Sequence, residues 1–256
     1  MSWVLSPCIE WLYADGGAPF DERVRRAAAA GFTAVELWGT REKDVAALEI
    51  AVRDTGIGVS AFVSEPTGRL VDPASHADFL AGIERSCLLA KRLNARGLIV
   101  VTGDALSGVA RDAQRRAIVD ALRHAAPIAS RHSVRLLLEA LNTRVDHPGY
   151  FLDSTAEGLS IVREVGDPSL LLLYDLYHSV VMGEEPATVL AGFGHLVGHV
   201  HIADEPGRHE PGTGHIDWPR QLSVLRSAGY SGSIGLEYVP TTDTESSVRF
   251  IRALAG

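Results

Sequence analysis

Short apolar, β-branched runs alternate with longer amphipathic stretches eight times along this chain, and that rhythm restricts what it can fold into. The runs cover residues 4–12, 33–38, 58–64, 97–102, 134–141, 170–176, 197–203 and 233–239. Most are nearly continuously hydrophobic over a strand's length, as strands buried on both faces should be. Between them the pattern predicts helices over 19–30, 44–55, 73–93, 111–131, 154–165, 186–191, 218–228 and 244–254. Proline near a first turn and glycine just past a last residue mark several of these ends. Pro127, inside the fourth, predicts a kink or a restart there.

Eight strand–helix units of roughly 31 residues each match the repeat of an α/β fold of one kind, the (β/α)₈ TIM barrel. A doubly wound open sheet usually has fewer strands and a glycine-rich turn after the first one, and here Gly16-Gly17 is only a turn signal. No linker rich in Pro, Gly and Ser divides the chain, so residues 1–256 read as a single domain. The one long connection, 204–217, is rich in Pro, Gly and His, and long loops in compact domains are often functional.

Composition narrows the partners. A net charge of −8 argues against nucleic acid as the main partner, because binding a phosphate backbone needs a basic face. No apolar run is long enough for a membrane span, and the N-terminus lacks the pattern of a secretory signal. The two lone cysteines, Cys8 and Cys87, suggest a reducing compartment rather than a disulfide framework. The expectation is a cytoplasmic enzyme without nucleic-acid or membrane partners. Nothing in the sequence fixes an oligomer, and a homo-oligomer stays open.

In a parallel barrel, catalytic groups gather at the C-terminal ends of strands. Leu136-Leu137-Leu138-Glu139 ends the fifth run with a carboxylate, and Leu171-Leu172-Leu173-Tyr174-Asp175 ends the sixth the same way. His199-Val200-His201 ends the seventh with imidazole, and Ile234-Gly235-Leu236-Glu237 ends the eighth with another carboxylate. The spacings of 36, 26 and 36 residues are each about one βα repeat, so four successive strands bring these groups to one rim. Three carboxylates brought together would repel one another unless something positive sat between them. Glu139, Asp175, His201 and Glu237 therefore predict a site for one divalent metal ion. An oxygen-rich set with a single His favours Mn²⁺, Mg²⁺ or Co²⁺, with Mn²⁺ preferred and zinc left open. Any one of these groups alone would as readily cap a helix or pair with an arginine; the recurrence at matching strand ends separates the two readings. His199, two residues earlier on the same inward face, reads as a buried supporting histidine.

The same residues carry a family resemblance. Glu139-Ala140-Leu141-Asn142 followed by His147-Pro148-Gly149-Tyr150-Phe151-Leu152 resembles the hydroxypyruvate isomerases, as do Tyr174-Asp175-Leu176-Tyr177-His178 and Gly198-His199-Val200-His201-Ile202-Ala203-Asp204. The run Pro206-Gly207-Arg208-His209-Glu210-Pro211-Gly212-Thr213-Gly214 is the most specific part. That family includes 2-oxotetronate isomerases and belongs to the broader xylose isomerase-like barrels, with ketose 3-epimerases and inosose dehydratases. The resemblance implies that Glu139 and Glu237 are both metal ligands and the pair that moves the proton. Two positions depart from it: His201 stands where these isomerases usually carry Gln, as it does in the epimerases, and His215 stands where they usually carry Glu.

The chemistry expected is a proton transfer between adjacent carbons of a small sugar acid through an enediolate. His178, just past the sixth strand, is placed to hydrogen-bond a substrate oxygen, the plainer alternative being a rim histidine facing water. Arg208 suits a substrate carboxylate because its fork matches two oxygens. His209 and Glu210 are weaker candidates of the same kind, and Asn142 could donate to a substrate hydroxyl. Glu36 and Glu65 could support the site or pair with helix ends. Trp11, Trp38 and Phe62 could wall a small substrate or simply fill the core. The nearest rival is a ketose 3-epimerase acting on free sugars. A dehydratase would share the metal chemistry, and a sugar-binding barrel without catalysis is the rival from another class. A barrel nuclease would need a multi-zinc cluster and a basic surface.

Overall fold

The structure, a computed structural model, describes residues 3–67 and 69–255. The eight runs become β1 (Val4–Pro7), β2 (Ala34–Leu37), β3 (Gly58–Val63), β4 (Ala95–Val100), β5 (Arg135–Glu139), β6 (Leu170–Asp175), β7 (Val197–Ile202) and β8 (Ser233–Leu236). Every ladder is parallel, and the strands follow one another round the sheet in sequence order, with β8 beside β1. Between β1 and β2 the sheet is joined by one bridge, Cys8 to Glu36, just past the end of β1. There the Ile9 amide donates to the Glu36 carbonyl at 2.9 Å. The result is the nearly closed (β/α)₈ barrel that the alternation predicts.

The outer layer is α1 (Phe20–Ala29), α2 (Val45–Thr55), α3 (His76–Arg92), α4 (Arg111–Arg131), α5 (Thr155–Val165), α6 (Leu176–Val181), α7 (Pro186–Val189), α8 (Trp218–Ser227) and α9 (Thr244–Ala255). Local chemistry sets their ends. Asp44, Ser154 and Asp217 each accept a backbone amide of the first turn of α2, α5 and α8. Gly56 closes α2 at φ 69°, a conformation cheap only for glycine.

Three differences from the sequence pattern have physical causes. Residues 8–12 are not strand: the amides of Trp11 and Leu12 fold back onto the Cys8 carbonyl, and Ile9 and Leu12 are buried by the turn. An apolar run reports burial, and a tight turn satisfies it as well as a strand. Helix α4 passes through Pro127 without a break, because Pro127 and Arg123, four residues earlier, both face solvent and the freed carbonyl can be hydrated. The short helix α6, absent from the sequence pattern, begins directly on β6, and Asp175 caps it by accepting the His178 amide at 3.0 Å.

Side chains alternate along each strand, one set packing outward on the helices and the other filling the barrel. Leu136 and Leu138 belong to the large outer core, whereas Leu137 joins Ala61, Ile99 and Leu173 in a small separate cluster inside the barrel. Glu139 lies two residues beyond Leu137 on the same inward face. The free cysteines are both buried, Cys87 in α3. No helix among the described residues is long and apolar enough to cross a membrane.

Candidate metal centre and active site

Register brings the four predicted ligands together. Asp175 pairs with His201 and His201 with Gly235, so β6, β7 and β8 end in step. One ligand atom from each of Glu139, Asp175, His201 and Glu237 lies within 4.8 Å of the others, and all four residues are buried. Gly235 is required here, because a Cβ would overlap the Glu36 carboxylate and the His201 ring.

The His201 ring decides what the cluster can hold. Its Nδ1 faces oxygens of Glu237 at 3.3 Å, Glu139 at 3.4 Å and Asp175 at 3.8 Å. It is buried, yet hydrogen-bonds to none of them. The opposite nitrogen, Nε2, lies 3.4 Å from Glu36 Oε1, and Glu36 Oε2 accepts from His199 Nε2 at 2.8 Å. Glu36 and His199 thus stand behind the ring, the place of the residues that orient a metal-binding histidine. Burial penalises a charged His201, but Glu36 and then Glu237 outweigh it and push its pKa well above the ordinary value. Burial likewise raises the Asp175 carboxyl. The pocket therefore demands a positive charge among its carboxylates. A ring nitrogen without a hydrogen-bond partner, facing three converging carboxylate oxygens of which one is paired with Arg208, fits a divalent cation.

Arg208 supplies part of that charge in the structure. It pairs with Glu237 and lies 3.7 Å from Asp175, with Trp11 and Tyr177 flanking its guanidinium at 5.4 and 5.3 Å. Burial alone would raise the Glu237 carboxyl, but Arg208 and His201 hold it well below the usual carboxylate range. Trp38 also donates to Glu237 Oε1 at 2.7 Å. Loop 204–217 carries Arg208, and its anchor, Asp204, is fully buried. Asp204 accepts the amides of Glu205, Gly212 and Ile216 and the Trp218 indole. Nothing in the sequence beyond its place in a motif marked Asp204 as that anchor.

A cavity of about 360 Å³ opens on the cluster, lined among others by Trp11, Trp38, His147, His178 and Arg208. Trp11 and Trp38 meet edge to face, so they form a wall of the cavity, while Phe62 is core. His178 is 2% exposed, which replaces the water-facing rim histidine with a buried one. Asn142 fixes its tautomer. The amide oxygen of Asn142 accepts the Val145 and Asp146 backbone amides, which turns its nitrogen toward His178 Nδ1 at 2.6 Å. His178 Nδ1 is then an acceptor and Nε2 carries the proton, buried and without a partner. Burial and then Arg208 lower the His178 pKa to about 3, so the ring is a neutral donor at physiological pH.

Other expectations are corrected. Asn142 does not line the cavity and acts through His178. His209 does not line it either, its Nδ1 being held by the Val239 carbonyl at 2.8 Å. Glu210 accepts from Thr241 and braces the loop. Glu65 lines the cavity and accepts from Thr40. His215 is exposed outside the cavity, whereas His147, unassigned in the sequence, lies in its wall 5.5 Å from the His178 ring.

Comparison with known proteins agrees with the barrel fold. The family model for the xylose isomerase-like TIM barrel matches residues 24–254. A 2-oxo-tetronate isomerase of Cupriavidus necator is 32% identical, covering 93% of this chain and 94% of its own. The hydroxypyruvate isomerase of Escherichia coli is 28% identical, over 92% of this chain and 94% of its own. Among solved structures, an AP endonuclease, family 2, from Brucella melitensis superposes with a TM-score of 0.91 at 28% identity, covering 99% of both chains. The chain belongs to the xylose isomerase-like TIM barrel family and, within it, to the hydroxypyruvate isomerase type of enzyme.

Proposed function

We propose that this chain, acting as one barrel domain, is a metal-dependent isomerase that interconverts aldehyde and ketone forms of a small 2-oxo or hydroxy acid such as hydroxypyruvate or a 2-oxotetronate. The observation that carries it is the convergence of Glu139, Asp175, His201 and Glu237 beside a small cavity that Glu139, Glu237 and Arg208 line. The names of the two relatives supply the substrate class. A divalent cation held by these four residues, Mn²⁺ by preference, would supply positive charge to the substrate oxygens and to the negative charge that develops as the α-proton leaves.

The chain's own residues do the rest. Arg208 presents a guanidinium to the substrate carboxylate and exchanges its pairing with Glu237 for that contact. His178 Nε2 donates to a substrate oxygen. Glu139 and Glu237 face the reacting carbons, one taking the proton and the same or the other returning it to the neighbouring carbon. Trp11 and Trp38 exclude water from the enediolate. Acidic net charge and a 360 Å³ cavity favour a small solute over a nucleic acid.

A ketose 3-epimerase would use the same carboxylate pair and return the proton to the opposite face of the same carbon, and His201 favours it. Incubating Mn²⁺-loaded protein with hydroxypyruvate, a 2-oxotetronate and free ketohexoses separates the two. Isomerisation of the acids is expected, abolished by EDTA and restored by Mn²⁺; inversion at C3 of a ketose alone would overturn the assignment.

A further inference from the structure

The larger cavity lies at the other end of the barrel. It occupies about 900 Å³ at the N-terminal mouth, against about 360 Å³ at the metal centre. Arg96 on β4, Arg135 on β5, Arg163 in the last turn of α5 and His195 before β7 all line it. Asp167 is the one carboxylate of its lining, and its oxygen already accepts the Ser169 amide at 2.8 Å. Among the described residues none of the three arginines has an ion-pair partner, whereas four of the five arginines of α4, Arg111, Arg115, Arg123 and Arg131, do. In a chain of net charge −8, this mouth is a local concentration of unneutralised cations.

The strands place these groups. Arg135 pairs in register with Gly97, so Arg96, one residue earlier on the neighbouring strand, leaves the opposite face of the sheet, and both reach the rim of the same cavity. Arg135 shares the inward face of β5 with Leu137 and Glu139. The Leu137 side chain fills the space beside Gly97 and Gly198, where a Cβ would lie 2.5 and 2.7 Å from it. It closes the barrel between the two ends, roughly 13 Å of strand separating Arg135 from Glu139. An anion in the mouth would meet the guanidinium groups without meeting the carboxylates of the metal centre. Phe193, flanked by Arg163 at 5.7 Å, adds an aromatic face to the same wall.

We propose that this mouth is a second binding site, for a compact multivalent anion: a phosphate ester or a polycarboxylate. Two or three guanidinium forks at one cavity match an anion with several oxygens, where a monovalent anion would gain little over bulk salt.

Calorimetric titration of the full chain with sodium pyrophosphate and, separately, with citrate, in about 0.15 M salt, tests it. Saturable one-site binding of at least one is expected. Binding of pyrophosphate alone assigns a phosphate ester, and of citrate alone a polycarboxylate. Arg135→Gln and the double variant Arg96→Gln/Arg163→Gln should each weaken it about tenfold or more. Arg208→Gln and Asp175→Asn, at the metal centre, should leave it unchanged. Circular dichroism melts establish that the variants fold, and the exposed position of all three arginines favours this. Absence of saturable binding with both anions overturns the proposal. So does binding lost with Arg208→Gln or Asp175→Asn but kept in the arginine variants, or a dimer that occupies the mouth and dissociates with Arg135→Gln.

Discussion

The inside of the barrel has two unlike halves. From β3 to β6 it is lined by Ala61, Ile99, Leu137 and Leu173, an apolar cluster with no polar atom to satisfy. On the other side, Ser6, Glu36, Ser60, His199 and His201 form a chain of buried polar contacts. The apolar half excludes water and lowers the local dielectric, which strengthens every charge interaction in the polar half. The polar half satisfies most of its atoms internally and leaves Glu36 Oε1 and both His201 nitrogens without hydrogen bonds. Unmet demand is thus gathered at the one ring that faces the carboxylates. On the proposed reading, one half sets stability and the other would set affinity for a cation.

That division can be broken by substitution. The largest effect is expected at the rim: Glu139→Gln removes a proposed ligand and one of the proposed proton-moving pair, and turnover should fall by about 10²–10⁴. A metal-loaded variant that retained parental kcat would exclude Glu139 from the chemistry. Next, Leu137→Ala in the apolar half should cost about 2–5 kcal/mol in urea unfolding while leaving Mn²⁺ affinity nearly unchanged. Glu36→Gln in the polar half should do the reverse, weakening Mn²⁺ about 10–100-fold by competitive titration with a chelating dye. Equal loss of metal affinity in the last two variants would show that the halves are not independent.

The smallest effect lies outside the barrel and serves as a control. Burial raises the Glu210 carboxyl, but two hydrogen bonds from Thr241 outweigh it and lower its pKa below the ordinary value. A carboxyl lowered on folding stabilises fully above its unfolded pKa, about 4.3, and that contribution is lost as pH falls through the lower folded value. Thr241→Val should therefore cost about 0.5–1.5 kcal/mol at neutral pH. The gap from the parent protein should narrow in acid unfolding curves below about pH 4.

Which parts of this were legible in the sequence follows from how far apart the partners lie. Glu139, Asp175, His201 and Glu237 were visible because each ends its own strand, and a repeating unit places equivalent ends on one rim. Glu36 was visible only as an open choice between roles. Its partner His199 lies 163 residues away, and only closure of the barrel brings them together. The same holds for Trp38 and Glu237, joined across 199 residues. Asn142 was assigned to the substrate because its type and place allowed it. Its role in fixing the His178 tautomer depends on which way a terminal amide turns, and the Val145 and Asp146 amides decide that. The helix α6 was hidden because its six residues continue the apolar run of β6 and are too few to display a period.

The join between β1 and β2 is the thinnest in the sheet, a single bridge at Glu36. The side chain of that residue reaches back to the ring that faces the candidate metal ligands of β5, β6 and β8. A cation drawn to His201 would therefore act as a clasp, linking four strands on one flank to the seam on the other. Loading the site and keeping the ring of strands shut would then be one event, so heat-induced opening at the seam should be registered first as a loosened ion.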